Sequence, residues 1–167
     1  DLHYPLRRQR QMCIRDRHDQ LVELVKLAMA APSASNSQPL EFILTTDLPI
    51  LSQIRAKMRF ANYNAPAAIL VLGNPQKASN ASGKRFWVQD GSAAIENMLI
   101  GAVAMGLGTC WIGLGAHIRD PKLKAELGMD ENLRIVAPLI IGYPKEIPAA
   151  SPRNAPKILR VISQVKG

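Results

Sequence analysis

The stretch that decides the fold is WVQDGSAAIENMLIGAVAMGLGTCWIG, residues 87–113. From Gln89 to Gly106 it has Ala, Met and Leu on nearly every face of a helix and no run of β-branched residues, which predicts a helix buried all round. Because Gly ends helices readily, a turn is predicted next, at 106–108. The short apolar segment TCWIGL, 109–114, then predicts a strand.

The same stretch is long enough to raise the question of a membrane span. Residues 98–118 have no charged side chain when His117 is counted as neutral, and about 20 apolar residues suffice to cross a bilayer. Five glycines within this segment, and Glu96 and Asn97 just before it, argue against insertion. We therefore predict a buried helix and strand in a protein without a membrane segment.

Regular elements continue on both sides of this stretch. Asp19 and Pro32 are the expected limits of the first helix, because Asp caps helix starts and Pro interrupts helices. The alternation of helix and strand indicates one domain with mixed α and β layers. The predicted elements are a helix over 20–31, a strand over 41–46, a helix over 49–59, a strand over 67–73 that is buried on both faces, a mobile loop over 74–85, a short helix over 121–127 closed by Gly128, and a strand over 134–144.

The composition fits one globular domain. The chain has 167 residues, of which 47% are hydrophobic and 20% charged, and this is too apolar for a disordered protein. Its formal net charge is +8, but five Arg and two Asp lie in residues 1–17, which leaves 16 basic and 11 acidic groups, a net of +5, in the rest. Without aromatic residues among the Lys and Arg, this mild excess does not predict nucleic-acid binding.

The two cysteines, Cys13 and Cys110, form no CxxC spacing and no disulfide framework, which is typical of a reducing compartment. The start of the sequence has no apolar run followed by a small-residue cleavage site, so no secretory signal is predicted. A cytoplasmic location is therefore the expectation.

Residues 1–17, DLHYPLRRQRQMCIRDR, have neither helical nor strand periodicity and do not lead naturally into the helix that follows. Residues 12–17 can be encoded by a frame beginning ATGTGTATAAGAGACAG, a transposon-end sequence used in preparing sequencing libraries. We therefore interpret 1–17 as a sequencing or assembly artefact, with a disordered basic arm as the alternative, and 18–167 as a single domain. Reading the locus by an independent sequencing method would decide between them.

Hydroxyl and amide side chains are concentrated between the first predicted helix and the first strand, in APSASNSQPLEFILTTD, residues 31–47. Ser and Asn favour turns for backbone reasons, so an ordinary polar turn is one interpretation. The other is a surface of short donors that holds a phosphate, a ribityl chain or a ring carbonyl. The side chains concerned are those of Ser33, Ser35, Asn36, Ser37 and Gln38, between Pro32 and Pro39.

The motif GLGTCWIG, 106–113, does not fit a dinucleotide-binding turn, because that turn follows a strand and opens a helix, whereas here a helix comes first. Its glycines have one of two roles: they only end the helix, or they leave the backbone amides of Ile112 and Gly113 accessible to a flat ligand. None of the three histidines has a nucleophile or a carboxylate at a spacing typical of a hydrolase site. No histidine and carboxylate are paired at positions i and i+4, the spacing at which a helix presents two metal ligands. We therefore expect no metal site, and any chemistry should come from a cofactor.

Three segments together resemble, in order and spacing, the core of the FMN-dependent nitroreductase family. They are AMAAPSASNSQPLEFILTTD (28–47), the stretch 87–113, and LGMDENLRIVAPLIIGYPKE (127–146), and the resemblance extends over about residues 19–157. It implies an α+β fold, a three-layer α/β/α sandwich with a central mixed, mainly antiparallel sheet. It also implies an intertwined homodimer with FMN at the subunit interface, in which the helix starting near Gln89 is the central dimer helix.

The resemblance implies roles for particular residues. The loop that begins at Pro32 matches the flavin-contacting loop of the family, which bonds ribityl or ring atoms across the dimer. The turn at Trp111 matches the backbone near flavin N5, and Arg153 matches a cation on the phosphate. The implied cofactor-binding residues are Pro32, Ser33, Ala34, Ser35, Asn36, Gln38, Trp111, Ile112, Gly113 and Arg153.

The implied activity is that of an NAD(P)H-dependent flavin oxidoreductase, which passes electrons through flavin N5 to nitroaromatic, quinone or similar small-molecule acceptors by a ping-pong mechanism, without a catalytic side chain. Two features depart from the family pattern. RRQRQMCIRDRH stands where members have an Arg-Arg-Ser-x-Arg arm on the FMN phosphate, and Leu40 replaces a common Trp. A non-catalytic flavin-binding dimer and a relative with specialised reductive chemistry, such as dehalogenation, stay open as alternatives.

Overall fold

The computed structural model describes residues 14–57, 64–113, 121–147 and 149–157. Helices and strands alternate in it, in the order that the sequence predicts. The elements are α1 (Ile14–Met29), a 3-10 turn (Ala34–Asn36), β1 (Leu40–Thr45), α2 (Leu48–Lys57), β2 (Ala67–Gly73), α3 (Ala81–Ala104), β3 (Gly108–Trp111), α4 (Pro121–Glu126) and β4 (Arg134–Gly142).

The four strands form one sheet in the order β1-β2-β4-β3, and neighbours in it are antiparallel. The strand predicted over 67–73 is observed with the same bounds, and each of its residues is buried. The prediction of a mainly antiparallel sheet is thus confirmed, and the strands described here include no parallel pair. Because β1 and β3 are the two edges of this sheet, the segments that flank them lie far apart.

Side chains on the two faces of β2 belong to different cores, because successive residues of a strand point to opposite faces. Ile69 packs with Leu24 of α1 and Met98 of α3 on one face. Leu70 packs with Ile54 of α2 on the other. Helices therefore cover both faces of the sheet, which confirms the predicted α/β/α layering.

Strand β4 carries a β-bulge against β2. The register shifts between Val71 and Leu72, and Val136 of β4 is the extra residue. Val136 and its neighbour Ala137 both join the core under α1 and α3. Helix α3 approaches the bulge closely because residue 91 is Gly: a Cβ on Gly91 would lie 2.6 Å from Val136 Cγ2.

The first helix starts earlier than predicted. It begins at Ile14, so Asp19 lies inside it and is not its cap, and residues 14–17, which we separated from the domain, form its first turn. The sequence is compatible with this, since Ile14 lies seven positions before Leu21 and so extends the apolar spacing of the helix. Residues 1–13 lie outside the described part of the chain, and the artefact interpretation stays a prediction.

The mobile loop predicted over 74–85 is wrong beyond Asn80. Helix α3 begins at Ala81, well before Gln89, and Asn80 Oδ1 caps it by accepting a hydrogen bond from Gly83 N at 2.8 Å. Asn, Ser and Gly are common in loops, but here they form the cap and first turn of a helix. The pattern alone does not distinguish these two uses.

The turns predicted at glycines are confirmed. Gly106 has a φ of +69°, and the following amide, Leu107 N, bonds Ala102 O at 2.8 Å, which is how a helix ends at a left-handed Gly. Gly128, with a φ of +62°, closes α4 in the same way. Residues 149–157 form no helix or strand. None of the helices described is long and apolar enough to cross a membrane.

Candidate functional site

The segment between α1 and β1 has a strained backbone. Ser35, Asn36 and Gln38 have positive φ angles of 51°, 52° and 46°. A left-handed backbone costs a residue with a side chain about 1–2 kcal/mol, and of these three residue types Asn tolerates it best. Such strain persists where the surroundings enforce it, and it clusters at ligand sites. We call residues 32–39 the polar loop.

The hydrogen bonds within the polar loop occupy side-chain acceptors and leave other side-chain donors available to a ligand. Ser33 Oγ accepts the backbone N–H of Gln38 at 3.0 Å, and Asn36 Oδ1 accepts Gln38 Nε2 at the same distance. A Ser hydroxyl and an Asn amide each carry donors besides these acceptors. Ser35, Asn36 and Gln38 are exposed, so the loop presents O–H and N–H groups at the surface.

Helix α3 fixes the middle of the polar loop. Asp90 is only 5% exposed, and its Oδ1 accepts a hydrogen bond from the backbone N–H of Ala34 at 2.9 Å. Seven residues further along, Asn97 Nδ2 donates to Leu27 O at 3.1 Å, near the end of α1. Seven residues are two helical turns, so both contacts lie on one face of α3.

A third contact continues the same face in the other direction. Gly83 lies seven residues before Asp90, and a Cβ at this position would lie 2.2 Å from Ser37 Oγ. The polar loop can therefore pack against α3 at this point only because residue 83 has no side chain. We call Gly83, Asp90 and Asn97 the α3 stripe. Gly83 and Asp90 meet the polar loop, whereas Asn97 bonds the end of α1 and does not contact the loop through this hydrogen bond.

Two buried polar atoms beneath the polar loop, Ser37 Oγ and Asp90 Oδ2, have no hydrogen-bond partner within the described ranges. They do not satisfy each other, because Ser37 packs at Gly83, about 10 Å along the helix axis from Asp90. Leaving a buried polar atom unpaired costs about 1–3 kcal/mol. Unpaired atoms under a strained loop fit a place where ordered water completes the hydrogen bonding beneath a ligand site.

The second predicted segment, Trp111–Gly113, lies at the end of edge strand β3. The side chain of Ile112 is buried, and its N–H donates to Pro138 O at 3.0 Å. Of the two amides predicted to face a ligand, that of Ile112 is therefore already paired. Gly113 is exposed, and a Cβ on it would meet no atom of the described residues within 4 Å. Gly113 thus keeps an open surface beside the partly exposed ring of Trp111.

The two segments are not adjacent within one chain. The polar loop precedes β1 and Trp111 ends β3, at opposite edges of the sheet. Three strand spacings separate these edges, about 14 Å. The short side chains of the polar loop do not reach across that distance, so one copy of the chain does not bring the two predicted halves of the site together.

Arg153, predicted to hold a phosphate, is exposed in the segment 149–157, and its role stays a prediction. Cys110 is half-buried in β3, and burial raises the pKa of its thiol. In the part of the chain that the structure describes, no group of three or more His, Cys, Asp or Glu side chains is placed to hold a metal.

A polar network anchors the far end of the polar loop. Asn74 is buried, and its backbone N–H donates to Pro39 O at 2.7 Å. Its side chain donates to Glu41 Oε1 at 2.9 Å, and Lys77 Nζ approaches the same oxygen to 2.8 Å. Hydrogen bonds from Lys77 first, and from Asn74 second, lower the pKa of the Glu41 carboxyl from its ordinary value.

This network should make stability depend on acid pH. A carboxyl with a lowered pKa in the folded state contributes stability that is complete above its ordinary pKa and is lost as pH falls through the lowered one. The contribution should be at most about 1 kcal/mol, because Lys77 is mostly exposed and solvent screens the pair.

The difference in unfolding free energy between wild type and Glu41→Gln should therefore shrink on acidification. Urea unfolding at several pH values measures it, and Lys77→Met should remove most of the same difference. A difference that is equal at all pH values contradicts this assignment.

The sequence interpretation found the polar loop but missed the α3 stripe. The sequence pattern includes Asp90 and Asn97 in a helix predicted to be buried all round. The available signal was their spacing, since an acid and an amide seven residues apart on an apolar helix share a face, and Gly83 continues that face. Such a pattern predicts that a polar backbone segment packs along the helix.

Comparison with known proteins gives one consistent family. A sequence model described as "Nitroreductase family" matches residues 51–143. A protein of Archaeoglobus fulgidus, named as a candidate NADH dehydrogenase/NAD(P)H nitroreductase, is 37% identical over 133 residues, which are 77% of this chain and 74% of that protein.

Solved structures share the fold. One of the same description from Parabacteroides distasonis has a TM-score of 0.72 and 27% identity, and the match covers 96% of this chain and 89% of that one. A candidate nitroreductase from Desulfovibrio desulfuricans, in complex with FMN, has a TM-score of 0.70 and 27% identity over 90% of this chain and 87% of its own. The family match runs from α2 through β4 and includes α3 and the turn at Gly113, and the chain belongs to the nitroreductase family.

Proposed function

We propose that this chain is an FMN-dependent oxidoreductase that takes electrons from NAD(P)H and passes them to a nitroaromatic, quinone or similar acceptor. Membership of the nitroreductase family supports the reaction class, and the Desulfovibrio desulfuricans relative is described in complex with FMN. The observation that carries the proposal is the polar loop, whose strained backbone presents hydroxyl and amide donors above two unpaired buried polar atoms.

The residues present fit an FMN. Ser33, Ser35 and Asn36 supply the short donors that ribityl hydroxyls and ring carbonyls accept from, with Gln38 beside them. Gly113 offers backbone with open space around it, which a flat ring requires. In the proposal the polar loop holds the ribityl chain or ring edge, and the backbone at Gly113 lies near N5.

Two copies of the chain would complete the site. The polar loop and Gly113 lie at opposite edges of the sheet in one copy, so the loop of one subunit would meet Gly113 of the other. Ile100 and Val103 of α3, at 63% and 73% exposed, form an apolar surface with Leu27 of α1, which packs against α3 at Gly101. We call Leu27, Ile100 and Val103 the α1–α3 patch. Burying such a surface against its own copy is the usual reason for a symmetric dimer.

When bound, FMN would supply two-electron transfer at N5, from NAD(P)H to the acceptor. The reaction would be ping-pong, because the acceptor would bind only after the oxidised donor has left. The chain's own part is to bind and orient. Donors of the polar loop would fix the cofactor, and the Gly113 amide would donate a hydrogen bond near N5. No side chain has to serve as a catalytic acid or base.

The proposal is tested with the full chain mixed with FMN and passed through a desalting column. We expect a yellow protein whose flavin absorbance is bleached by NADH or NADPH without oxygen and returns on adding nitrobenzene or benzoquinone. Steady-state rates should give parallel double-reciprocal plots. A protein that stays colourless refutes flavin binding, and one that stays yellow with both donors is a flavin-binding protein without this activity.

The open surface at Gly113 gives a sharper prediction. Gly113→Ala should weaken FMN binding about tenfold, because an added methyl group between backbone and ring costs at least about 1 kcal/mol. The unfolding free energy of the apo-protein should stay within about 0.5 kcal/mol, since the methyl meets no atom within 4 Å in the described ranges. Flavin fluorescence titration and urea unfolding measure the two quantities.

Gly106→Ala is the control and should give the reverse result. Its φ of +69° strains any other residue, so it should lose about 1 kcal/mol of stability while FMN affinity is kept. Unchanged FMN binding by Gly113→Ala would mean that the ring does not lie at this backbone.

A further inference from the structure

Asp90 is the buried acid of α3, the longest of the described helices. Its side chain is buried, and its Oδ1 is bonded to the backbone N–H of Ala34. Burying a carboxylate is expensive unless hydrogen bonds compensate it. The free-energy cost of burying Asp90 on the face of α3 that meets the polar loop indicates a role beyond packing.

The bond to Ala34 links the strained part of the polar loop to the body of the protein. Asn74 N–H bonds Pro39 O at the far end of the loop. The bonds made by Ser33 Oγ and Asn36 Oδ1, both to Gln38, join loop residues to one another and do not fix their position on the body of the protein. Ala34 lies between Ser33 and the left-handed Ser35, so the bond to its amide constrains the backbone on which both hydroxyls are carried. The contact of Ser37 with Gly83 is steric and has no hydrogen bond.

We propose that Asp90 is a positioning residue for flavin binding: by accepting the Ala34 N–H it holds the polar loop in its strained conformation, with the loop donors set before the flavin arrives. This inference rests on the proposed function and adds to it a residue that does not touch the flavin. A preset loop binds more tightly because less conformational freedom is lost on binding.

Substitutions at Asp90 separate positioning from simple support of the fold. Asp90→Asn keeps an acceptor for the Ala34 N–H, because its amide oxygen can take the place of Oδ1. Its NH2 group can take the place of Oδ2, which has no hydrogen-bond partner among the described residues. Asp90→Ala removes the acceptor. We expect FMN affinity to fall at least tenfold in Asp90→Ala and to stay within about threefold of wild type in Asp90→Asn.

Asn97→Ala is the matched control. It removes one side-chain hydrogen bond between the same face of α3 and the same stretch of chain, but at Leu27 O, before the polar loop begins. This variant should lose stability and keep FMN affinity. Flavin fluorescence titration and urea unfolding of the apo-protein are measured for each variant, since a structural role alone would change only the second.

Ala34→Pro tests the same bond from the other side. Proline lacks the N–H that Asp90 accepts, and the extended backbone of Ser33, with φ −128° and ψ 155°, suits a following proline. Its loss of FMN affinity should match that of Asp90→Ala, and the double variant should be no worse than the weaker-binding single variant. If Asp90→Ala does not fold, Ala34→Pro and Asp90→Asn still decide the question.

The outcomes separate this inference from the proposed function. A wild-type chain that does not bind FMN overturns the proposed function. If wild type binds, the positioning role is overturned by an Asp90→Ala protein with wild-type affinity, by a folded Asp90→Asn protein as weak as Asp90→Ala, or by additive losses in the double variant. A tenfold loss in Asp90→Ala that Asp90→Asn restores supports it.

Discussion

Replacing Gly91 with Ala should destabilise the apo-protein by about 2 kcal/mol, as expected when a methyl group is forced into a packed core. The new Cβ would lie 2.6 Å and 2.8 Å from the two Cγ atoms of Val136 and 3.1 Å from its Cβ. Rotating the Val136 side chain does not relieve the contact with its Cβ, so the helix or the strand has to move. Val136 is the extra residue of the β4 bulge, and both partners are buried. Urea unfolding of wild type and variant at one protein concentration measures the loss.

Gly101→Ala is the control in the same helix. There the close atom is Leu27 Cδ1, at 2.2 Å, and the next nearest lies 3.6 Å away. This atom is the tip of a flexible and partly exposed side chain, which can turn aside. The variant should be as stable as wild type or gain up to about 1 kcal/mol, because Ala favours helix more than Gly. Equal stabilities of the two variants would mean that α3 does not pack on the bulge as closely as the structure shows.

The fold was largely predictable because its strands are unambiguous. The segment 67–73 is wholly apolar and bounded by turn formers, so pattern and structure agree. The start of α3 was not predictable in the same way, since Asn80 and the residues after it suit both a loop and a capped first turn. The bulge at Val136 leaves no mark in the sequence, because it depends on the register between two strands.

The candidate site was predictable in composition but not in arrangement. Ser and Asn side chains before β1 predict a polar surface, and the resemblance to the nitroreductase family implies FMN as its ligand. The left-handed backbone at Ser35 and Gln38 could not be anticipated, because neither residue type favours it. The separation of the polar loop from Gly113 follows only from the strand order, which places β1 and β3 at opposite edges.

Ile100→Glu should disrupt the proposed homodimer and abolish most FMN binding. Ile100 is 63% exposed, so one copy of the chain tolerates a carboxylate there without loss of folding. In a two-fold symmetric interface the substitution occurs twice. Each carboxylate would be buried without a partner, at several kcal/mol apiece. We expect sedimentation velocity to show monomer at micromolar concentration and FMN affinity to fall at least about a hundredfold, since the polar loop and Gly113 then no longer meet.

Leu48→Glu is the matched control. Leu48 is 67% exposed at the start of α2, and α2 packs on the opposite face of the sheet from α1 and α3. The same loss of an exposed aliphatic side chain and gain of a charge should leave both the dimer and FMN binding unchanged. A dimeric Ile100→Glu protein would place the interface elsewhere. A monomer that binds FMN as tightly as wild type would show that one chain suffices, and the site would then have to be rebuilt from the polar loop alone, because the distance across the sheet keeps Gly113 out of reach.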